Sequence, residues 1–447
     1  MKIIFDNDAT VTNYEKFIEK VVVPYFRKKY KLEIINATVL EIEDKYCLID
    51  KFTNEEIKEI MDSFWISFRF VKYTLFSPFR LGAAKTLRYF LRKHYQVEIH
   101  TSRAKTYDNS IVGKLARMFT IGQYWLQGVF LRPSKFKFYL NDEEKLEGVF
   151  NANPTVVFDD KPWLIDRYIE QGLYVLCVDG VHNQLLQETS HMKRINSLKK
   201  SDVCIKLKEL LGDILINACD KGAKSNHLYR KLYSLQRPVL QIFKPIILNR
   251  QNIIRTNRGI IYVSNHRSTL DPIVITAVLR ESIHWVALKR FFEAKDSIFN
   301  NSKNPLLCKF TAYIFTKLGF FPIERKKDNP KSNNIQSIRE ILSFLKIGHK
   351  VGIFPEGTTV RPEGQLLGEF DYSFLTFASE TRSFVQPVTI LWIVENNKKR
   401  AIINFGKAFA VSNKDKEEIK QKYYSTLKDM LTENIVEAKA RGAKILY

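Results

Sequence analysis

Nowhere in this chain do some 18 apolar residues follow one another without a charge, so no transmembrane helix is expected. The nearest approach, LLCKFTAYIFTKLGFFPI, is interrupted by Lys309 and Lys317. The opening MKIIF passes straight into DNDAT, too short and too acidic for a signal peptide. Cysteine is sparse. Cys47, Cys177, Cys204, Cys219 and Cys308 are odd in number and widely spaced, without a C-x-x-C pair for metal or redox work. Reduced thiols in a cytoplasmic setting are therefore expected. Low-complexity tracts and fixed-period repeats are missing, which argues against a solenoid or a long disordered span. Zinc-finger spacing and RNP-type aromatic signatures are also absent, so nucleic acid is not an expected partner.

Acid is the minority charge: 48 Asp and Glu stand against 71 Lys and Arg, a net +23. Such an excess favours anionic lipid headgroups or phosphorylated substrates, although a generally basic solvated surface would look the same. At 447 residues the chain is longer than the roughly 250 to 300 residues a single core usually supports, so two domains are expected.

Up to about Asn183, the β-like runs KIIF, QVEIHT, FKFYL, PTVVF and LYVLCV alternate with helical patterns such as GAAKTLRYFLRKHY and PWLIDRYIEQG, which reads as a parallel α/β sheet. Residues of about 13–75 read as an inserted, mostly helical cap. The polar stretch QETSHMKRINSLKKSD reads as a linker, and DVCIKLKELLGDILINACDKG as a helix stopped near its final glycine. The resulting division is a first domain over 1–186, a linker and helix over 187–225, and a second domain over 226–447. The second domain opens with HLYRKLYSLQRPVLQIFKPIILN, basic and aromatic at helical spacing, which suits a membrane surface or packing on the domain itself. Strand-like GIIYVS, HWVAL, KVGIFP, FVQPVTILWI and RAIINF then alternate with helices, a second α/β pattern.

In the first half, IIFDNDATVTN places Asp6 and Asp8 just after a strand, where open α/β sheets carry their ligand sites. Two carboxylates there suit Mg²⁺, with one of them also able to attack phosphorus. VEIHTSR ends a strand in Thr101, NDEEKLEGVF offers Lys145 on a helix, and TVVFDDKP ends a strand in Asp159 and Asp160. Hydroxyl and ammonium groups hold phosphate oxygens, and a second acid pair completes a metal site. Singly, a strand-end acid is a turn former and a helix lysine a solvated charge; four in order are harder to dismiss. The set resembles the haloacid dehalogenase superfamily, whose first motif is D-x-D-x-T. That resemblance implies a Rossmann-like core with a helical cap, Asp6 as nucleophile, Asp8 as general acid/base, Thr101 and Lys145 as phosphate holders, and Mg²⁺ held by Asp6, Asp8, Asp159 and Asp160.

In the second half, VSNHRSTLDP follows an apolar strand. Asp271 before Pro272 makes a helix N-cap pair, the plain structural reading. His266 suits a general base whose tautomer a carboxylate such as Asp271 fixes. Ser268 lacks a G-x-S-x-G elbow, so the attacking hydroxyl is expected from the substrate. LGFFPIERKK supplies Arg325, and VGIFPEGTTVRPEG supplies Glu356, Gly357, Thr358 and Arg361, groups suited to phosphate. The blocks N-H-x-x-x-x-D, G-x-x-P-I-x-R, F-P-E-G-T and VQPV resemble, in order, the glycerolipid acyltransferases of the 1-acylglycerol-3-phosphate type. That resemblance implies a second α/β domain with His266 as base and Asp271 as its orienter. It also implies an acceptor site including Asn265, Arg325, Glu356 and Gly357, with Pro387 near the acyl pocket. Thr359 stands directly after E-G-T, where the family often has arginine.

The combined expectation is transfer of a fatty acyl group, from coenzyme A or acyl carrier protein, to the hydroxyl of a lysophosphatidate-like lipid, fused to a Mg²⁺-dependent phosphomonoesterase. The expected location is cytoplasmic, peripheral on the inner face of an anionic membrane. The rivals are an acyltransferase with an inactive phosphatase-like regulatory domain, and a non-catalytic polyanion-binding protein.

Overall fold

The computed structural model describes residues 1–13, 75, 77–102, 110–180, 183–295, 304–325, 333–359, 365–412 and 416–446. The helical cap expected at about 13–75, apart from its end residues, and the predicted site residue Arg361 lie outside them. The chain divides into two compact units, Met1–Ile216 and Asn217–Tyr447.

The first unit is built on six parallel strands: β1 (Lys2–Asp6), β2 (Gln96–Ser102), β3 (Phe136–Tyr139), β4 (Val156–Asp159), β5 (Tyr174–Val178) and β6 (Met192–Ile195). Their order across the sheet is β3-β2-β1-β4-β5-β6. This doubly wound arrangement, expected from the alternating pattern, reverses between β1 and β4, and ligands of such sheets sit at the carboxyl ends beside that reversal. Asp6 ends β1 and Asp159 ends the neighbouring β4. Central strands are apolar on both faces because helices cover both: Ile3, Ile4, Phe5, Val156, Val157 and Phe158 are buried. After β1 the chain makes one wide helical turn, Asn7–Val11. Asn141 caps the helix Asp142–Ala152 by accepting the Glu144 N–H at 2.8 Å, which directs Lys145 to the buried side.

Part of the stretch read as linker belongs to this sheet. β6 pairs with β5, and Leu198 is buried. Only Met192 and Ile195 of β6 are apolar and buried, so an edge strand with two polar positions looked like a connection. The helical run Lys200–Phe243 does not stop near Gly222 either; its break is at Gly212, with φ 71° and ψ 162°. Gly222 serves packing instead, since a Cβ there would stand 2.4 Å from His349 Nε2.

The second unit has a mixed sheet. Its strands are β7 (Ile246–Leu248), β8 (Ile260–Ser264), β9 (Ile283–Leu288), β10 (Phe321–Ile323), β11 (Lys350–Ile353), β12 (Phe384–Glu395), β13 (Lys398–Phe405), β14 (Phe409–Ala410) and β15 (Lys444–Leu446). The order is β10-β9-β11-β8-β12-β13-β7, with β14 and β15 also on β12. β10, β9, β11, β8 and the start of β12 run parallel, while β12 turns back antiparallel on β13. Asn396 and Asn397, at φ 50° and 58°, make that tight turn. Trp285 stacks on Phe354 with centroids 4.7 Å apart, and Gly352 must lack a side chain because a Cβ would lie 2.3 Å from the Trp285 ring. The carboxyl ends of β8, β10 and β11 thus hand on to Asn265–His266, Glu324–Arg325 and Phe354–Gly357.

Candidate functional site

Each unit carries one constellation. In the second unit, Asp271 is wholly buried and its Oδ2 lies 2.9 Å from His266 Nδ1. The same oxygen accepts the N–H groups of Arg267 at 2.6 Å and Ser268 at 2.8 Å, while Trp392 Nε1 donates to Oδ1 at 2.8 Å. Four donors compensate the desolvated carboxylate, and Nδ1–H facing it leaves Nε2 as the basic nitrogen. The His266 side chain is 18% exposed, so the imidazole reaches solvent while the Asp271 carboxylate does not. Phe354 stacks on the imidazole at 4.0 Å and fixes its plane. Asp271 is not the helix N-cap: it is the first residue of the helix Asp271–Leu279, and its carboxylate receives the loop amides before it rather than helix amides. Ser268 turns its hydroxyl to the Leu270 N–H at 3.3 Å, a turn-forming role.

Asn265, fully buried, exchanges both side-chain bonds with the Ile390 backbone at 2.9 and 2.8 Å, which anchors the β8 end to β12. Glu356 accepts the His266 N–H at 3.2 Å and the Gly368 N–H at 2.9 Å. It thereby ties the β11 loop to the His266 backbone. Gly357 sits at φ +61°, a conformation natural to glycine, and its carbonyl accepts from Arg325 Nη1 at 3.1 Å. Thr358 is half-buried on the same loop. Pro387 lies in β12 opposite Val263. Trp392 and Phe354 are not singled out as site residues from sequence: Trp392 lies within β12 and Phe354 directly after β11, in apolar surroundings where composition marks only core.

In the first unit, Lys145 Nζ donates to Asp6 Oδ1 at 2.7 Å and Asp159 Oδ2 at 2.8 Å, all three side chains being buried. Asp159 Oδ1 also accepts the N–H groups of Asp160 and Lys161 at 2.9 and 3.2 Å. Thr10 Oγ1 donates to Asp160 at 2.9 Å, and Thr101 Oγ1 to Asp8 at 3.4 Å. Burial, opposed by Lys145 and reinforced by Asp159, Asp160 and Asp8, holds the Asp6 carboxyl well above the usual range. Burial pulls the Lys145 ammonium down, but Asp159 and Asp6 outweigh it and hold its pKa well above the ordinary lysine value. Three carboxyl groups crowded around one ammonium make a setting that a bound cation would relieve. Asp6, Asp159 and Asp160 offer oxygens within 4.8 Å of one another, and Asp6 Oδ2 is buried without a hydrogen-bond partner among the described residues. Hard oxygen donors of this kind fit Mg²⁺. Asp8 is outside that group of three; its carboxylate is held by Asn7 Nδ2 at 3.1 Å and by Thr101.

A solvent-reaching imidazole steadied by a buried carboxylate, beside an arginine-bearing loop at the carboxyl edge of an α/β sheet, is an arrangement able to move a proton next to an anionic ligand. Residues 246–391 match the family model described as Acyltransferase. A chloroplastic 1-acyl-sn-glycerol-3-phosphate acyltransferase of Arabidopsis thaliana is 26% identical over 168 residues, covering 38% of this chain and 41% of the relative. Its counterpart in Brassica napus is also 26% identical over 168 residues, covering 38% and 43%. A chloroplastic glycerol-3-phosphate acyltransferase of Cucurbita moschata is 24% identical over 133 residues, covering 28% and 27%. The chain thus spans about two-fifths of the first two relatives' length. Among solved structures, a HAD hydrolase of family IA, variant 3, from Entamoeba histolytica is 17% identical, with TM-score 0.28, covering 47% of this chain and 98% of that one.

Proposed function

We propose that the second unit transfers a fatty acyl group from a thioester, on coenzyme A or acyl carrier protein, to the hydroxyl of a lysophosphatidate-like acceptor. The observation that carries this reading is the His266–Asp271 pair, 2.9 Å apart, at the end of β8. The acceptor hydroxyl oxygen attacks the thioester carbonyl carbon as His266 Nε2 takes its proton; the tetrahedral intermediate then expels the thiolate, which recovers that proton as thiol. Asp271 steadies the imidazolium between the two steps. Arg325, with the Gly357 and Thr358 loop and Arg361, supplies the expected phosphate contacts of the acceptor. The relatives' names support a glycerolipid acceptor.

For the first unit we propose phosphomonoester hydrolysis. Asp6 attacks phosphorus, Asp8 protonates the leaving oxygen and then deprotonates the water that frees Asp6, and Lys145 and Thr101 bind phosphate oxygens. Asp6, Asp159 and Asp160 would hold Mg²⁺, whose charge, when bound, offsets that of the carboxylates and phosphate. The buried Asp6–Lys145–Asp159 group, with Asp6 Oδ2 left without a hydrogen-bond partner among the described residues, supports a working site over a decayed scaffold, because desolvated ionic groups are costly to retain. Mass spectrometry of labelled acyl donors with a lysophospholipid panel tests the first activity; a generic phosphomonoester with and without Mg²⁺ tests the second. No acylated product from any acceptor would refute the transferase reading.

A further inference from the structure

The helix Pro305–Lys317 contributes no residue to the second unit's constellation, yet it presents two distinct sides. Cys308, Thr311 and Phe315 face inward, and Phe315 packs on Phe291, Phe292 and Phe320. On the other side Leu306, Phe310 and Tyr313 are 77%, 52% and 60% exposed. Their spacing of four and then three residues aligns them in one stripe. Lys309 and Lys317 are exposed beside it, and Lys317 Nζ lies 5.4 Å over the Tyr313 ring. The helix contains no Asp or Glu, and the preceding turn Lys289–Phe292 exposes Lys289 and Arg290. Lys289 is paired with Glu324 and Glu293, so the cations of this face are Lys309 and Lys317 on the helix itself. A helix face of apolar residues and lysines without an acid complements an anionic bilayer, the rings and leucine entering the acyl boundary while the ammonium groups stay at the phosphates.

Through Gly319 the helix leads directly into β10, whose end carries Glu324 and Arg325. A bilayer held at this helix lies next to the element that bears an acceptor-site arginine. The basic segment HLYRKLYSLQRPVLQIFKPIILN, expected from sequence as the membrane element, spends its apolar residues differently. Tyr229 belongs to the buried core, and Val239 and Phe243 pack against it.

We propose that the Leu306–Phe310–Tyr313 face, with Lys309 and Lys317, is the surface by which this protein docks on an anionic phospholipid bilayer. The proposal rests on the acyltransferase reading for its purpose and not for its measurement. The test is flotation of the full chain with vesicles of phosphatidylglycerol and phosphatidylcholine, against vesicles of phosphatidylcholine alone. The wild type should float with the anionic vesicles and bind the neutral ones more weakly. A Phe310→Glu, Tyr313→Glu double variant should lose about tenfold in partitioning, while Ile242→Glu, on the basic segment, should not. Transfer to a short-chain, water-soluble acceptor should be unchanged in the double variant, which also shows that it is folded. Binding by the double variant equal to wild type would overturn the proposal, as would equal binding to neutral vesicles. So would light scattering in which the wild type is a dimer and the double variant a monomer, because a second copy would then cover the face. Vesicle binding without acyl transfer to any acceptor would refute the transferase reading and leave the docking surface standing.

Discussion

Trp392 Nε1 donates a 2.8 Å hydrogen bond to Asp271 Oδ1, so the carboxylate that orients His266 is itself held from β12, 121 residues away in sequence. With Arg267 and Ser268 amides and His266 on the other oxygen, Asp271 has no rotational freedom. Trp392→Phe keeps the ring and removes the N–H. It should lower kcat roughly tenfold with little change in KM and cost about 1–3 kcal/mol of stability, the penalty of a buried acceptor left unsatisfied. Steady-state kinetics beside a denaturant titration checks this; a KM effect at constant kcat would contradict a role through Asp271.

Asp271→Asn should be more damaging. The amide can present N–H to Nδ1 and favour the wrong tautomer, and it cannot neutralise an imidazolium. We expect kcat to fall by about two orders of magnitude or more, the usual scale of general acid–base assistance. Asp271→Glu should not restore it, because the longer side chain cannot keep Trp392 and both loop amides together. Wild-type kcat in Asp271→Asn would rule out the dyad.

In the first unit, Asp6→Asn should abolish phosphomonoester hydrolysis without loss of thermal stability in the absence of Mg²⁺. Burial among Asp159, Asp160 and Asp8 already favours a neutral group at that position. Lys145→Met should do the opposite to the fold, leaving buried carboxylates uncompensated at a cost of about 3–5 kcal/mol. Differential scanning calorimetry separates the two; an Asp6→Asn variant melting well below wild type would contradict the crowding of negative charge.

Acid should weaken the second unit through His284 and His349. Burial lowers the His284 pKa to about 4 and lowers that of His349 well below its usual value; their rings lie 5.2 Å apart. Lys221 near His284 and Lys350 near His349 push the same way. Both are neutral in the folded state and take up protons on unfolding, so their contribution is complete above the unfolded value of 6.5 and is lost as pH falls from there towards 4. For His284 the loss is on the order of 3 kcal/mol. Hydrogen exchange in β8 and β9 between pH 7 and 4 should reveal it, and His284→Gln should flatten the slope. A slope unaltered by that substitution would contradict the assignment.

Much of this was legible in the sequence because strong periodic patterns and strand-end polar residues coincide. β1, β4, β5 and the strand before His266 are nearly continuous apolar runs, β2 and β3 intersperse apolar with polar residues, and Asp6, Asp159 and His266 mark strand ends. The edge strand β6 was not legible, since an edge needs fewer apolar residues. The continuation of Lys200–Phe243 past Gly222 was not legible either, since that glycine makes room for His349 from 127 positions downstream. Trp392 looked like core and is also a hydrogen-bond donor to the carboxylate behind the base, a relation that only the fold brings about. Asp271 was identified as the partner of His266, but its expected capping role gave way to the Arg267 and Ser268 amides.

The central claim, one chemistry in each unit, is tested most directly by assaying His266→Ala for both reactions in one preparation. The account predicts that acyl transfer to a lysophosphatidate-type acceptor falls to background while Mg²⁺-dependent phosphomonoester hydrolysis stays at the wild-type rate. Near-normal acyl transfer by His266→Ala would contradict it.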